Sequence, residues 1–377
     1  MREGRFGIVV SGGPAPGINS TVYSVVDRAE RAGYQTIGFC DGFEGALSDP
    51  KKLVNLTAAT IAPFRERGGS YLGTSRYNPL ADKTRTSLLA RLLCENQIDK
   101  LVVIGGDGSA YLSYQLSQEM SGIKVAHLPK TIDNDLPLPH HYPSFGFESA
   151  REMGVAITRT LLADARTTKR WFLVKCMGRQ SGFLALAIGM AVGASVILIP
   201  EEYRSGEIPL SQIIERISNC ILARRKQGKE YGVALFAEGL LNCLNAQSLP
   251  ALNSRARDKL GRLRYSEIEL EELLRDALQV HPPIKELDVQ LSVKNIGYEL
   301  RCCDPIGFDL EYTQFLGEGA VRFLLDGLSG FMVVRDYDRI GFVELAKLRD
   351  PTGKIQTQQV SLESDLYRVA RSEIAPC

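Results

Sequence analysis

The sequence predicts an open α/β fold with mainly parallel sheets, and three observations predict it. Apolar runs of strand length alternate with helical patterns along most of the chain. These runs are continuous rather than alternating, the mark of parallel strands covered on both faces. The chain of 377 residues is also long enough for two domains, each with its own core.

Taken in order, FGIVV (6–10) is the first strand, and the polar lead before it has none of the features of a secretory signal. TIGFC (36–40), KLVVIGG (100–106), KVAHLP (124–129), RWFLVK (170–175), SVILIP (195–200) and YGVALFAEG (231–239) supply further strands. TRTSLLARLLCENQ (84–97) and SQIIERISNCILARRKQ (211–227) space their apolar residues for helices. The stretch Phe183–Pro200 approaches the length of a membrane span. Its Gly and Ala content, Gly193 and the β-branched residues that follow make helix, glycine stop and buried strand the better parse. From Leu241 to Val289 the composition turns polar and charge-dense, which reads as a helical insertion with a solvated face and no chemistry.

Composition narrows the function classes. Hydrophobic residues make up 44% and charged residues 24%, with a formal net charge of +1. That balance gives no reason to expect a nucleic-acid or membrane partner. Eight cysteines without a CxxC pair read as free thiols of a cytoplasmic protein. Four histidines, three of them at 127, 140 and 141, do not suggest a zinc site.

Three strand ends look built for anionic ligands. VVSGGPAPGINS (9–20) bares Gly12, Gly13 and Gly17 ahead of a helix, so that backbone N–H groups can face a phosphate. In GGDGS, Gly105, Gly106 and Gly108 bracket Asp107, a carboxylate suited to Mg²⁺, before Ser109. LPKTIDNDLP places Lys130, Thr131, Asp133 and Asp135 within six positions, and Asp133 can serve as a base. Singly each could be a tight turn or an Asx-rich loop. Together on one parallel sheet they form a kit for phosphoryl transfer, which needs positioning and charge neutralisation more than covalent help. No GxxxxGK[ST] motif occurs, so this is not a Walker-type loop.

In that order, SGGPAPGINS, GGDGS, PKTIDND, CMGRQSG, FAEG and GYELR resemble the phosphofructokinase family, from the first strand to about Leu325. The resemblance implies two Rossmann-like three-layer domains with the active site in the cleft between them. Residues 1–143 plus 303–355 would bind the phosphoryl donor and 144–302 the sugar phosphate, with the insertion at about 241–289 and a C-terminal helical segment at 356–377. It implies transfer of the ATP γ-phosphate to the 1-hydroxyl of fructose 6-phosphate, with Mg²⁺ held by Asp107 and Asp133 as the base. Gly13, Thr131 and Arg179 join the catalytic set; Gly12, Arg76, Gly106, Gly108, Ser109 and Lys130 join the donor site. Asp135, Arg170, Met177, Gly178, Glu238, Tyr298 and Arg301 match the sugar-phosphate set. Arg170 is expected to reach a neighbouring subunit, which implies a homodimer or homotetramer.

The chain departs from the family pattern in places. Gly108 is the residue of ATP users, where pyrophosphate users carry a second aspartate that would repel a nucleotide's α-phosphate. Lys130 and the GGPAPG variant lean toward the branch that contains pyrophosphate enzymes. ATP is the expected donor and pyrophosphate the alternative; a catalytically silent subunit of the same fold is a second alternative. Tyr23 and Asp27 stand where small bacterial enzymes place two effector-binding arginines, so no ADP or phosphoenolpyruvate control is expected there. Cys302 and Cys303 replace two glycines after Arg301. Ser292 replaces a subunit-crossing arginine, with Lys294 near. Phe43 stacks on adenine or is a core aromatic.

Overall fold

The computed structural model describes residues 4–203, 207–245 and 268–373. The chain divides into two compact units. One comprises Met1–Ile132, Leu136–Ala150 and Arg301–Thr357; the other comprises Asp133–Asp135, Arg151–Leu300 and Gln358–Cys377.

Among the described residues eleven strands run in chain order: β1 (Arg5–Val10), β2 (Gln35–Phe39), β3 (Leu53–Leu56), β4 (Ile98–Gly105), β5 (Lys124–Pro129), β6 (Trp171–Cys176), β7 (Val196–Leu198), β8 (Gly232–Ala237), β9 (Leu291–Ile296), β10 (Phe331–Asp336) and β11 (Arg339–Glu344). In the first unit seven of them form a sheet in the order β11-β10-β5-β4-β1-β2-β3. Its interior pairings are parallel, and β3 and β11 close the edges antiparallel. In the second unit β7-β8-β6-β9 form an all-parallel sheet. The fold is α/β with mainly parallel sheets. Every apolar run singled out in the sequence becomes a strand, because a strand covered on both faces must be apolar on both.

In the first unit the helix Ile18–Arg31 buries Ile18, Val22, Val25, Val26 and Ala29 at helical spacing, while Arg28 and Arg31 occupy its last turn where the helix dipole favours cations. It packs closely on the helix Gly307–Leu325: Ser20 and Thr313 share a buried hydroxyl hydrogen bond of 2.7 Å. A Cβ at Gly317 would fall 2.2 Å from Ser24 Oγ, so that contact needs glycine. Asp309 on the same helix is fully buried. Its carboxylate accepts from the backbone N–H groups of Gly146 (2.8 Å) and Ser149 (2.9 Å) and from the Ser149 hydroxyl. These groups open the helix Phe147–Thr168, which Asp309 therefore caps from a distant part of the chain.

In the second unit, Phe183–Pro200 resolves into the helix Phe183–Val192, Gly193 in the left-handed region (φ 63°) and β7. No helix among the described residues is long and apolar enough to cross a membrane. The polar excursion is corrected in part. Residues 246–267 lie outside the described residues, but the helix Leu270–Val280 is no solvated appendage. Leu270, Leu274 and Leu278 are fully buried in the core of the second sheet, because the i, i+4, i+8 spacing aligns them on one face. The charges misled because one of them is buried too. Glu271 pairs at 2.8 Å with Lys175, an almost fully buried β6 residue that also donates to the Ile268 carbonyl at 2.6 Å.

Two outcomes follow for stability. Lys175→Met should cost on the order of 3–5 kcal/mol in urea unfolding by stranding Glu271, and Lys175→Met/Glu271→Leu should recover most of that. His127 on β5 is fully buried, and burial pulls its imidazole down to about 3, with the Gly105 carbonyl drawing it partly back. The native ring stays neutral while the unfolded one takes up a proton below about 6.5. The unfolded state thus binds more protons in that window, and stability is lost as pH falls from about 6.5 toward 3, by at most about 1.4 kcal/mol per pH unit. Unfolding measured at pH 6.5 and 4.5 should show a smaller loss for His127→Asn than for the parent.

Candidate functional site

The first unit assembles a glycine-lined cluster at the carboxyl ends of β1, β4 and β5. Past β1, Gly12 adopts φ 91°, a conformation that favours glycine. Its N–H donates to the Ser75 carbonyl (3.0 Å) and its carbonyl accepts from the Thr74 hydroxyl (2.8 Å), which stitches the turn to the segment carrying Arg76. A Cβ on Gly12 would lie 3.7 Å from Lys130 Nζ and 3.9 Å from Ser109 Oγ; one on Gly13 would lie 3.9 Å from an Arg76 guanidinium nitrogen. Lys130, 4% exposed, donates its ammonium to the Gly13 carbonyl and its backbone N–H to the Gly105 carbonyl. Gly12, Gly13, Arg76, Ser109 and Lys130 therefore come together, two cations beside bare backbone.

Past β4, Gly106 precedes the helix Asp107–Glu119, whose first-turn N–H groups have no acceptor within the helix and so suit an anion. A Cβ on Gly105 would fall 2.3 Å from Ser109 Oγ and 3.0 Å from the Ser11 carbonyl, so glycine lets the β1 and β4 turns close on each other. Gly108 differs. It is exposed, in ordinary helical conformation, and a Cβ there would meet nothing within 4 Å. The fold does not ask for a glycine at 108. Asp107 is half-buried, and its carboxylate has no hydrogen-bond or ion-pair partner among the described residues. A single unengaged carboxylate beside a phosphate-binding turn fits Mg²⁺, which takes one or two protein carboxylates together with substrate phosphates. Among the described residues no group of three or more metal-ligating side chains competes with it. Thr131 completes this unit's part, its carbonyl fixed by the Ser144 hydroxyl at 2.7 Å.

The second unit gathers carboxylates. The turn Asp133–Asp135 carries Asn134 at φ 53°, and its carbonyls are tied down by the Ser181 hydroxyl at Asp133 (2.6 Å) and the Gln358 N–H at Asp135 (2.7 Å). Past β6 come Met177, Gly178 and Arg179; past β8 comes Glu238, 7% exposed. Gly178 adopts φ 124°, and a Cβ there would fall 2.6 Å from the Ser181 carbonyl. The Gly239 N–H donates to the Gly178 carbonyl (3.0 Å) and the Asn242 amide to the Arg179 carbonyl (3.0 Å), locking the two loops together. Burial, then the charges of Asp133 and Glu238, push the thiol of Cys176 well up, so both carboxylates bear on the end of β6. One can take a proton while the other accepts from a polyol.

Other expected site residues lie elsewhere. Arg170 precedes β6, about 20 Å of strand away from Met177, and donates to the hydroxyls of Thr168 (2.7 Å) and Ser292 (3.4 Å). Tyr298, 64% exposed, is not among these: with Arg301 it bounds a single helical turn after β9, whose Ile296 pairs with Cys176, so it opens at the same end of the sheet as Met177. Lys294 is paired with Glu299 at 3.0 Å. Tyr23 lies under the Arg65 guanidinium, and Asp27 is already engaged by Arg28 and Arg31. Phe43 is a core residue, 1% exposed with its ring edge-on to Phe39 at 6.0 Å, which removes it as an adenine platform. The described cysteines are free thiols. Sequence reasoning gave no role to Thr74, Ser75, Ser144, Ser181 and Asn242, because they act through backbone groups.

The sequence model described as phosphofructokinase matches residues 5–324. The chain is 39% identical to a pyrophosphate–fructose 6-phosphate 1-phosphotransferase of Naegleria fowleri, over 97% of this chain and 86% of that protein. It is equally 39% identical to a protein of the same name from Thermotoga maritima, over 97% and 89%. Relatives named ATP-dependent 6-phosphofructokinase also match, at 29 to 35% identity. Among solved structures, a pyrophosphate-dependent phosphofructokinase from Marinobacter aquaeolei superposes with a TM-score of 0.75 at 20% identity, over 100% of this chain and 92% of that one, a likeness of fold. With six ordered motifs and a family match across most of its length, this chain belongs to the phosphofructokinase family.

Proposed function

We propose that this chain transfers a phosphoryl group from pyrophosphate to the 1-hydroxyl of fructose 6-phosphate, giving fructose 1,6-bisphosphate and orthophosphate. The observation that carries the donor is Lys130, a buried ammonium beside Gly12 and Gly13. A short donor without a nucleoside must be held by its charge, and a fixed cation at the turn offers that. The expectation of ATP rests on Gly108, and the relatives reported above favour the alternative: those named for pyrophosphate share 39% identity, those named for ATP 35% or less.

In this reading the N–H groups of Gly13 and Gly106–Ser109, beside the turn that Gly12 makes, receive the donor phosphates with Lys130 and Arg76. Asp107 would hold Mg²⁺, which would neutralise charge on the donor phosphates. Asp133 takes the proton of the sugar 1-hydroxyl as its oxygen attacks phosphorus, and orthophosphate leaves. Arg179 and Thr131 stabilise charge on the transferring group. Asp135, Met177, Gly178, Glu238, Tyr298 and Arg301 orient the sugar phosphate. Arg170, remote along β6, serves the neighbouring subunit of a homodimer or homotetramer.

ATP is the second reading, and Gly108 favours it. Helical glycine costs about 1 kcal/mol against alanine, and nothing in the fold requires it there. The absent side chain then leaves room for a ligand, as an α-phosphate would need.

Initial rates with Mg-pyrophosphate and MgATP separate the two: turnover with pyrophosphate alone supports the first reading, and turnover with ATP alone overturns it. No sugar phosphorylation from either donor would mark a catalytically silent chain. Asp133→Asn should lower kcat by roughly 10²–10⁴-fold with the KM values little changed. Gly108→Ala should keep or slightly raise the Tm, whereas Gly105→Ala should lower it, because only the second meets a neighbour.

A further inference from the structure

Below the donor turn lies a polar pair that the reaction as described does not use. His127 is fully buried on β5, flanked in the sheet by Val103 of β4 and Met332 of β10. Its Nδ1 is 3.1 Å from Ser113 Oγ, itself fully buried, and that hydroxyl donates to the Ser109 carbonyl at 2.8 Å. A carbonyl can only accept, so with the serine proton on Ser109 the imidazole donates from Nδ1, the tautomer taken here beside the Gly105 carbonyl that also faces the ring. Nε2 then keeps a lone pair, and it has no hydrogen-bond partner among the described residues. A buried acceptor without a partner costs stability, and an apolar pair of the same shape would avoid that cost. The fold alone gives no reason for this histidine.

What the pair touches gives one. Serine hydroxyls that bond back to the carbonyl four residues earlier have competing rotamers. The His127 N–H selects one of them and so holds the Ser113 hydroxyl on Ser109. Ser109 ends the donor turn; its Oγ points to the Gly12 cluster and its Cβ already fills the space that a Gly105 side chain would need. A turn packed this tightly cannot absorb a shift of Ser109 locally.

We propose that His127 is a positioning residue for the phosphoryl donor, fixing through Ser113 the first turn of the helix Asp107–Glu119. The inference rests on the reading of that turn as the donor site. Burial keeps the imidazole neutral through the working pH range.

The three variants His127→Leu, His127→Gln and His127→Asn test it. The Asn amide reaches the place of Nδ1; the Gln amide reaches that of Nε2. For Leu and Gln the donor KM should rise roughly five- to tenfold, with the fructose 6-phosphate KM within about twofold, and Asn should restore most of the loss. Ser113→Ala should match His127→Leu, and the double variant should be no worse than either single one. Asn no better than Gln, parallel rises in both KM values, or additive losses would each overturn the proposal. If the leucine variant fails to fold, nitrogen NMR of the parent decides: an Nδ1–H tautomer supports the proposal and an Nε2–H tautomer overturns it. Asp107→Asn separates the two levels. Unchanged donor kinetics there sink the donor-site reading and this inference with it. Loss there, with His127 variants that do not discriminate donor from sugar, sinks this inference alone.

Discussion

Strands buried on both faces leave only their carboxyl ends to carry chemistry, and most of this molecule follows from that constraint. The ladder satisfies the backbone of β1, β4, β5, β6 and β8, and apolar side chains fill both faces. Polar groups therefore collect where each strand runs out: Gly12 and Gly13 after β1, Gly106–Ser109 after β4, Lys130–Asp135 after β5, Met177–Arg179 after β6 and Glu238 after β8. This is the general rule for ligands of open α/β sheets. Arg76 is the exception that reaches its cluster from a loop, and Arg170 is the one that does not reach its unit's cluster.

The glycines at these ends are of two kinds, which close approach separates. Gly105, Gly178 and Gly239 stand where a Cβ would strike a neighbour, so they are needed for the loops to pack at all. Gly108 stands in open space. A motif such as GGDGS mixes both kinds, and its spelling does not say which letter answers to the fold and which to a ligand.

Beneath the loops, the structure is held by buried polar groups from distant parts of the chain. Asp309 caps a helix that begins some 160 positions earlier. Lys175 secures the helix Leu270–Val280 through Glu271 and the Ile268 carbonyl. Such groups are stable only when fully paired, so each fixes the position of its partners closely. Both carboxylates look like ordinary surface acids in the sequence. The stretch around Glu271 was read as solvated for that reason.

The sequence by itself determined the α/β class, the strands that are apolar on both faces, and the order of the glycine- and acid-bearing turns. It could do so because burial dictates composition locally and anion-binding turns need residues close in sequence. It was silent on the edge strands β3 and β11 and on β9, whose half-exposed residues carry no continuous apolar run, and it passed over β10. Only the tertiary structure decided that Phe43 is core, that Gly108 is free of steric demand, that Lys130 sits against Gly13, and that His127 lies under Ser109 through Ser113. Each of these depends on how segments distant in the chain pack or leave space, and no local pattern encodes which distant group will fill a given space.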